Sequence, residues 1–384
     1  MSEVAVVGVG QTAFTKACNV SIKELSFGAF TESLSDAGNI DAGDIDGSVI
    51  ASAPEYDKQR SPAGAIAEYL GLNPRPSFYV ESLCSSGTTG VRVAYGLIKS
   101  GLNDVVAVIG FQKMSELSAA EVQERMGRGA DIVWESPMGL TMPDGYALLA
   151  RAHMQKFGTT REQLGLVKVK SSKYAAINPK AAFQREVSLE DVLASKMIAD
   201  PLRMFDCVSN ADGASCVILA SAEKASKITD TPVWIRGIGT ATDTLSIANK
   251  SSLTGLDCAA DAAKQAFRMA KVEPKDIDVA EVHDCFTMSE IIACEDIGFC
   301  KRGEGGKLVE EGETYIDGKI PVNVDGGLLG KGHPIGATGG SQVRTVVKEL
   351  RGDAGKVQVK GAELGLVHNI GGVGLYGNVM VFGR

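Results

Sequence analysis

No run of roughly 18 apolar residues occurs anywhere in this chain, so no membrane-spanning helix is expected. The N-terminal Val4-Ala5-Val6-Val7-Gly8 has no basic flank and no small-residue cleavage site, so no secretory signal is expected and a cytoplasmic location is. The eight cysteines are irregularly spaced and never fall as Cys-x-x-Cys, a pattern that suits neither a disulfide framework nor a zinc ribbon. Reduced thiols are expected. Positive charge is also short: the net charge of −8 argues against general nucleic-acid or anionic-membrane binding. What is present is 44% hydrophobic residues over 384 positions, enough for a large core in two or three units.

The charge is uneven. Residues 151–205 carry ten Lys/Arg against five acidic residues, a local net charge of +5. One reading is a solvated helical surface; the other is a docking surface for a polyanionic small molecule such as the nucleotide end of coenzyme A.

A weak repeat runs through the chain. Val4 to Gly10 and Val233 to Gly239 each read as a buried strand ending in a glycine turn. A helical segment follows in both copies, Ile22 to Ala37 and Asp257 to Ala270, then an acidic turn, Asp44-Ile45-Asp46 or Asp276-Ile277-Asp278, and an apolar strand. Further on, the strand Ser77 to Val80 leads into Cys84 and a helix from Gly87. In the second copy Val322-Asn323-Val324 leads into Gly332-His333-Pro334 and a helix from Gly336, followed by a strand at Val357-Gln358-Val359. Cysteine and histidine thus occupy the same structural place, and a pseudo-twofold packing would bring the two helix starts together. The halves span 1–115 with 203–230, and 231–384; residues 116–202, too long for a connection, form an inserted loop domain over the site.

Three motifs carry the chemistry. Cys84 in Cys84-Ser85-Ser86-Gly87 sits where backbone N–H groups and a helix dipole favour thiolate; the alternative is a buried structural cysteine. His333 lies in Gly-His-Pro-Ile-Gly-Ala-Thr-Gly, where proline fixes the backbone and glycines allow a ligand to approach, so it can take the thiol proton or polarise a thioester carbonyl. In His283-Asp284-Cys285-Phe286, strand alternation puts His283 and Cys285 on one face, and with no spaced third and fourth ligand an acid/base pair is favoured over a metal site. Asn369-Ile370-Gly371-Gly372, after an apolar turn, offers backbone N–H groups for an oxyanion hole or is a plain hairpin. The Gly8-Val9-Gly10-Gln11-Thr12-Ala13 match to a dinucleotide pattern lacks an immediate helix and a following acid, which argues against a nicotinamide site.

In order and over the whole length, these motifs resemble the thiolase superfamily. The likeness is closest to the sterol carrier protein type and its archaeal relatives, which share His-Asp-Cys-Phe where bacterial biosynthetic thiolases have Asn-Glu-Ala-Phe. Arg151-Ala152-His153-Met154, Ser188 to Leu193 and Asp206-Cys207 add to it. One place departs: Asn369-Ile370-Gly371 stands where ordinary thiolases carry a second catalytic cysteine in Cys-x-Gly, so the resemblance assigns that role to Cys285.

The resemblance implies an α/β fold of two βαβαβαββ halves in an αβαβα sandwich, with the loop domain supplying most coenzyme A contacts. It implies an acetyl-CoA C-acetyltransferase that joins two acetyl-CoA through an acetyl-cysteine and feeds mevalonate synthesis. Cys84 would be the nucleophile, His333 its base, Cys285 the acid/base and His283, with His333, the donor to the enolate; the N–H groups of Cys84 and Gly371 would hold the acyl carbonyl. No permanent cofactor or metal is implied, only coenzyme A thioesters as substrates. Expected partners are a second copy or a tetramer, 3-hydroxy-3-methylglutaryl-CoA synthase and an OB-fold zinc-ribbon protein. A degradative 3-ketoacyl-CoA thiolase, a ketoacyl or hydroxymethylglutaryl synthase relative and a non-catalytic acyl-CoA-binding protein are the alternatives.

Overall fold

The computed structural model describes residues 3–384. Nine strands form one mixed sheet in the order Ser77–Val80, Gly47–Ala51, Val105–Gln112, Gly213–Ser221, Val4–Gln11, Val233–Thr242, Tyr376–Gly383, Leu364–Gly371 and Val279–Glu281. The first five belong to one half and the last four to the other, and the orders mirror each other about the junction. That junction is slight: Ala5 pairs with Trp234 and Val6 with Val233.

Alternation along each strand sends side chains to two different cores. Val4, Val6, Val106 and Val108 of the first half, with Val233, Val279, Val367 and Met380 of the second, face a shared inner core filled by Val91, Ala94 and Ile98 and by Val343, Val346 and Leu350. Those fillers come from the helices Ser86–Lys99 and Ile335–Arg351, which therefore form a central layer between the half-sheets. The opposite faces, with Ala5, Val7 and Ile109 in one half and Leu366, Val379 and Val381 in the other, pack under the outer helices Ile22–Ala37 and Asp257–Ala270. The result is the expected αβαβα sandwich.

Packing of the central helices explains the glycines in both motifs. A Cβ on Gly87 would lie 2.9 Å from the Gly336 carbonyl oxygen, one on Gly339 2.4 Å from the Thr88 nitrogen, and one on Gly336 2.4 Å from the Phe111 carbonyl oxygen. These glycines are consumed by backbone-to-backbone contact, not by the approach of a ligand as the sequence suggested. Their absence of side chains is what lets the two helix starts meet.

Two expected elements differ. Val322 to Val324 makes a single bridge, Ala280 to Val322, because Asn323 adopts a left-handed φ of 54° and spends its side chain on the Val282 N–H and on Glu290. Val357 to Val359 is no strand: a 3₁₀ turn, Gly355–Val357, occupies its start and the strand comes later, at Leu364–Gly371, which also replaces the expected turn before Asn369. The acidic turns show the true equivalence. Asp46 accepts from the N–H groups of Asp104 and Val105 at the head of one strand, and Asp278 accepts from those of Glu363 and Leu364 at the head of the other.

Between Gln112 and Gly213 the chain forms the helices Ala119–Gly127, Met142–Phe157, Arg161–Ile177 and Leu189–Ala194 and a short hairpin, Met197–Ala199 with Leu202–Arg203. Tyr146, Leu149, Leu164 and Val167 of this insertion pack on Phe286, Met288 and Ile291 of the second half. Among the described residues, no helix is long and apolar enough to cross a membrane.

Candidate active site

Cys84 lies in a 3₁₀ turn, Leu83–Ser85, that delivers the chain into the helix Ser86–Lys99. Leu83 takes a left-handed φ of 53°, a strained conformation for a branched side chain and a common sign of a functional turn. Gly371 makes room for this turn, since a Cβ there would lie 2.3 Å from the Ser82 carbonyl oxygen. The backbone N–H facing the Cys84 sulfur belongs to the next residue, Gly372. Gly372, and not Gly371, lines the cavity above the thiol.

That cavity, of about 270 Å³, is walled by Tyr56, Leu83, Cys84 and Met126 on one side and by Cys285, Phe286, His333 and Ile335 on the other. The insertion adds Tyr146, Ile198 and Met204. The sulfur of Cys84 and one ring nitrogen each of His283 and His333 lie within 4.8 Å of one another, and the two rings meet edge to face at 5.2 Å. Cys285 is close enough to Cys84 to raise its pKa. The four residues singled out in sequence therefore converge, although the strand whose alternation placed His283 and Cys285 on one face ends at Glu281.

The two histidines are wired oppositely. His333 Nδ1 is 2.6 Å from the Thr338 hydroxyl, which also lies 3.1 Å from the Pro334 carbonyl; with the hydroxyl proton on that carbonyl, Nδ1 carries the ring proton and Nε2 a lone pair. His283 Nδ1 faces Asn369 Nδ2 at 2.9 Å, while Asn369 Oδ1 receives the Thr88 hydroxyl at 2.8 Å. An amide N–H can only donate, so His283 Nδ1 accepts and the proton sits on Nε2. Both Nε2 atoms are buried without a protein partner. His333 lines the cavity and offers it a lone pair, and His283 offers an N–H beside Cys84 and His333.

That wiring bears on metal binding. Cys84, His283 and His333 are spaced like three ligands, but Asn369 leaves His283 offering an N–H where a metal requires a lone pair. Asp284 does not complete a ligand set either: its carboxylate accepts the N–H groups of Leu328 at 2.7 Å and Leu329 at 3.3 Å and caps the short helix there.

Burial dominates the electrostatics. It pushes the His333 pKa down to about 3 and that of His283 well below its ordinary value, with neighbouring His333 and His368 adding to the latter, so both rings are neutral at pH 7. Burial also pushes the Cys84 thiol up, more than the N–H groups of Gly372 and Cys84 itself lower it. The thiolate expected from the helix start is overruled by desolvation. Cys285 is raised to about 12, again by burial, against hydrogen bonds from Tyr146 and Ser289. The resting site thus holds two thiols and two neutral imidazoles.

Sequence reading missed several supports. Thr338 is visible in hindsight five residues after His333 inside the same motif, whereas Tyr146 and His368, whose Nδ1 accepts the backbone N–H of His283 at 3.3 Å, had no local signal. Asn369 was noticed only for the thiol it replaces. The basic segment changes meaning as well: Lys168 donates to the Leu329 carbonyl, Lys170 pairs with buried Glu290, Arg161 with Asp206, Lys180 with Glu32 and Arg151 with Asp200. With Arg203, which donates to the Ser195 carbonyl, six of its ten cations have protein partners, while Lys156, Lys173, Arg185 and Lys196 stay exposed.

Comparison with known proteins agrees with this geometry. Residues 4–231 match the N-terminal domain of thiolase and residues 239–384 the thiolase C-terminal domain-like family. The acetyl-CoA acetyltransferase of Methanothermobacter thermautotrophicus is 43% identical over 386 residues, covering 100% of both chains. Sterol carrier protein 2 of Bos taurus is 37% identical over 96% of this chain and 70% of its own. Among solved structures, the Ltp2-ChsH2(DUF35) aldolase superposes with a TM-score of 0.87 at 27% identity, covering 100% of this chain and 98% of that one.

Proposed function

The chain belongs to the thiolase family and is an acyltransferase, and on that premise we propose that it is an acetyl-CoA C-acetyltransferase joining two acetyl-CoA into acetoacetyl-CoA. The observation that carries the reading is the pair of oppositely wired histidines beside Cys84. His333 Nε2 takes the Cys84 proton as the sulfur attacks the acetyl carbonyl. The bond to coenzyme A breaks, and the leaving sulfur takes the proton of Cys285. Cys285, now a thiolate, removes an α-proton from a second acetyl-CoA, and the enolate oxygen is met by His283 Nε2–H. The enolate carbon attacks acetyl-Cys84, the carbon–sulfur bond breaks, and the Cys84 sulfur recovers its proton from His333. Every proton is returned. The N–H groups of Cys84 and Gly372 serve the acyl carbonyl.

Coenzyme A enters past the hairpin that carries Ile198, with Lys196 and neighbouring exposed cations at its anionic end. The site needs no resident cofactor. Product removal sets the direction, because condensation is unfavourable alone, and supports a place in mevalonate synthesis beside a 3-hydroxy-3-methylglutaryl-CoA synthase, in the cytoplasm. The solved relative named as a complex with a DUF35 chain supports an OB-fold zinc-ribbon partner, and the family a homodimer or tetramer. Labelled acetyl-CoA should acetylate Cys84 stoichiometrically, and the enzyme should exchange the α-protons of acetyl-CoA with deuterated water. Failure of the label to reach Cys84 would refute the reading.

A further inference from the structure

The sheet face that packs on the central helices is apolar for most of its length, with Ile238, Val367, Met380 and Phe382 lining it in the second half. One row across it is polar. Thr240 lies opposite Asn378, and Asn378 opposite Asn369, on three neighbouring strands, so their side chains share that face. Both asparagines are buried, and a buried polar row in such a core is stable only when its hydrogen bonds are made. The first half makes them. Asn378 Nδ2 donates at 3.0 Å to each of the hydroxyls of Thr88 and Thr89, at the start of the helix Ser86–Lys99, while Asn378 Oδ1 accepts from Thr240 at 3.0 Å. The row therefore runs from exposed Thr240 through Asn378, Thr88 and Asn369 to the His283 ring beside Cys84.

An amide turned end for end keeps its shape, so its flanking groups set its orientation. Asn369 is flanked by Thr88 and His283, each able to donate or to accept. The Thr88 hydroxyl has one proton and two carbonyl oxygens in reach, Asn369 Oδ1 at 2.8 Å and that of Ser85 at 3.0 Å. Because Asn378 offers Thr88 an N–H and no acceptor, the hydroxyl proton points to Asn369. That holds the amide oxygen on the Thr88 side and turns the amide N–H groups to His283.

We propose that Asn378 is a positioning residue: through the Thr88 hydroxyl it fixes the Asn369 amide and thereby places the His283 proton on Nε2. Its tie to catalysis rests on His283 as the enolate donor, whereas the position of the proton can be read without that assumption. With only four histidines, nitrogen NMR of protein labelled at histidine is simple to read, and His283→Asn identifies the ring. Wild type should show a bare Nδ1 and a protonated Nε2. Asn378→Asp puts an acceptor stronger than either carbonyl beside Thr88, so the hydroxyl proton turns to it, the Asn369 amide turns over to donate to Thr88, and most of the His283 proton should move to Nδ1. Thr88→Val, which removes the hydroxyl and adds no charge, should show both tautomers, and Thr88→Ser, which keeps the hydroxyl, should show the wild-type pattern.

In Asn378→Asp, acetyl labelling of Cys84 should stay within about threefold while α-proton exchange falls about 10²-fold, the low end for a lost oxyanion donor. A proton that stays on Nε2 in both Asn378→Asp and Thr88→Val, or that sits on Nδ1 in wild type, would overturn the proposal. Equal loss of labelling and exchange with the proton unmoved would reduce the row to a brace between the halves and overturn it as well. A wild-type enzyme with no α-proton exchange would instead remove the donor role of His283, and the nitrogen spectra would still decide whether Asn378 sets its tautomer.

Discussion

The two halves present the same structural position, a helix start in the central layer, and fill it with a thiol in one and an imidazole in the other. The cysteine side is strained and partly open, with Leu83 at a left-handed φ and Cys84 bordering the cavity. The histidine side is fixed, with Pro334 leading into its helix and Thr338 locking the ring. The two equivalent positions meet because glycines let their helices touch, and on the proposed mechanism one supplies the nucleophile and the other the base. His283 and His333 extend the contrast, being alike in burial but opposite in the proton they show the substrate.

The sharpest way to break this division of labour is Cys84→Ser. It should cut turnover by about 10⁴-fold or more and abolish stable acetyl labelling, since an alcohol at this site has no accessible anion. Labelling that persisted on the serine or moved to another cysteine would place the nucleophile elsewhere. His333→Gln should slow acetylation itself, by about 10²- to 10⁴-fold, as expected for a lost general base; single-turnover labelling measures it.

Cys285→Ala should still accept acetyl on Cys84, at a reduced rate, but lose α-proton exchange and condensation at least about 10²-fold. Near-normal exchange would make His283 the base and undo the donor assignment. The donor assignment has its own test. His283→Asn, which keeps an N–H, should cost less condensation activity than His283→Phe, with the oxyanion-donor range of about 10²- to 10³-fold as the ceiling for the latter.

Acid should expose the buried imidazoles. His368, like His333, is held near a pKa of about 3 by burial, against roughly 6.5 when unfolded. A depressed histidine contributes stability fully present above about pH 6.5 and lost as pH falls toward its folded value. The slope is about 1.4 kcal/mol per pH unit for each ring. The unfolding free energy of wild type relative to His368→Asn, measured by urea at pH 6.5 and pH 5, should therefore shrink by about 2 kcal/mol. A constant difference would mean that the ring is not buried neutral. The smallest effect is expected at the exposed cations of the insertion, where joint reversal of Lys196 and Arg185 to glutamate should raise KM severalfold with little change in kcat, because the nucleotide is bound alike in ground and transition states.

Much of this was legible along the chain. The helices Ile22–Ala37 and Asp257–Ala270 and the first strand of each half show in periodicity, and the catalytic set shows as unusual residues in unusual company: Cys84 before a glycine-opened helix, His333 in a glycine–proline frame, His283 and Cys285 two apart. The misreadings have physical causes. Val357 to Val359 has the composition of a strand, but Gly355 at a φ of 68° turns the chain there and the residues that pair lie further on. The basic segment reads equally as a docking face or a solvated surface because a sequence records charge without partners, and Glu32, Asp206 and Glu290 lie far from Lys180, Arg161 and Lys170 along the chain.

By itself the sequence determined which residues are available and at which helix starts they stand, because periodicity, glycine and proline act over a few neighbouring residues. Only the tertiary structure decided their chemical state. The proton on His283 Nε2 depends on Asn369, 86 residues away, and the neutrality of all these groups on a burial that no local pattern encodes. Desolvation and hydrogen bonding act through space, so the same Cys84 whose ionisation a helix dipole favours rests here as a thiol.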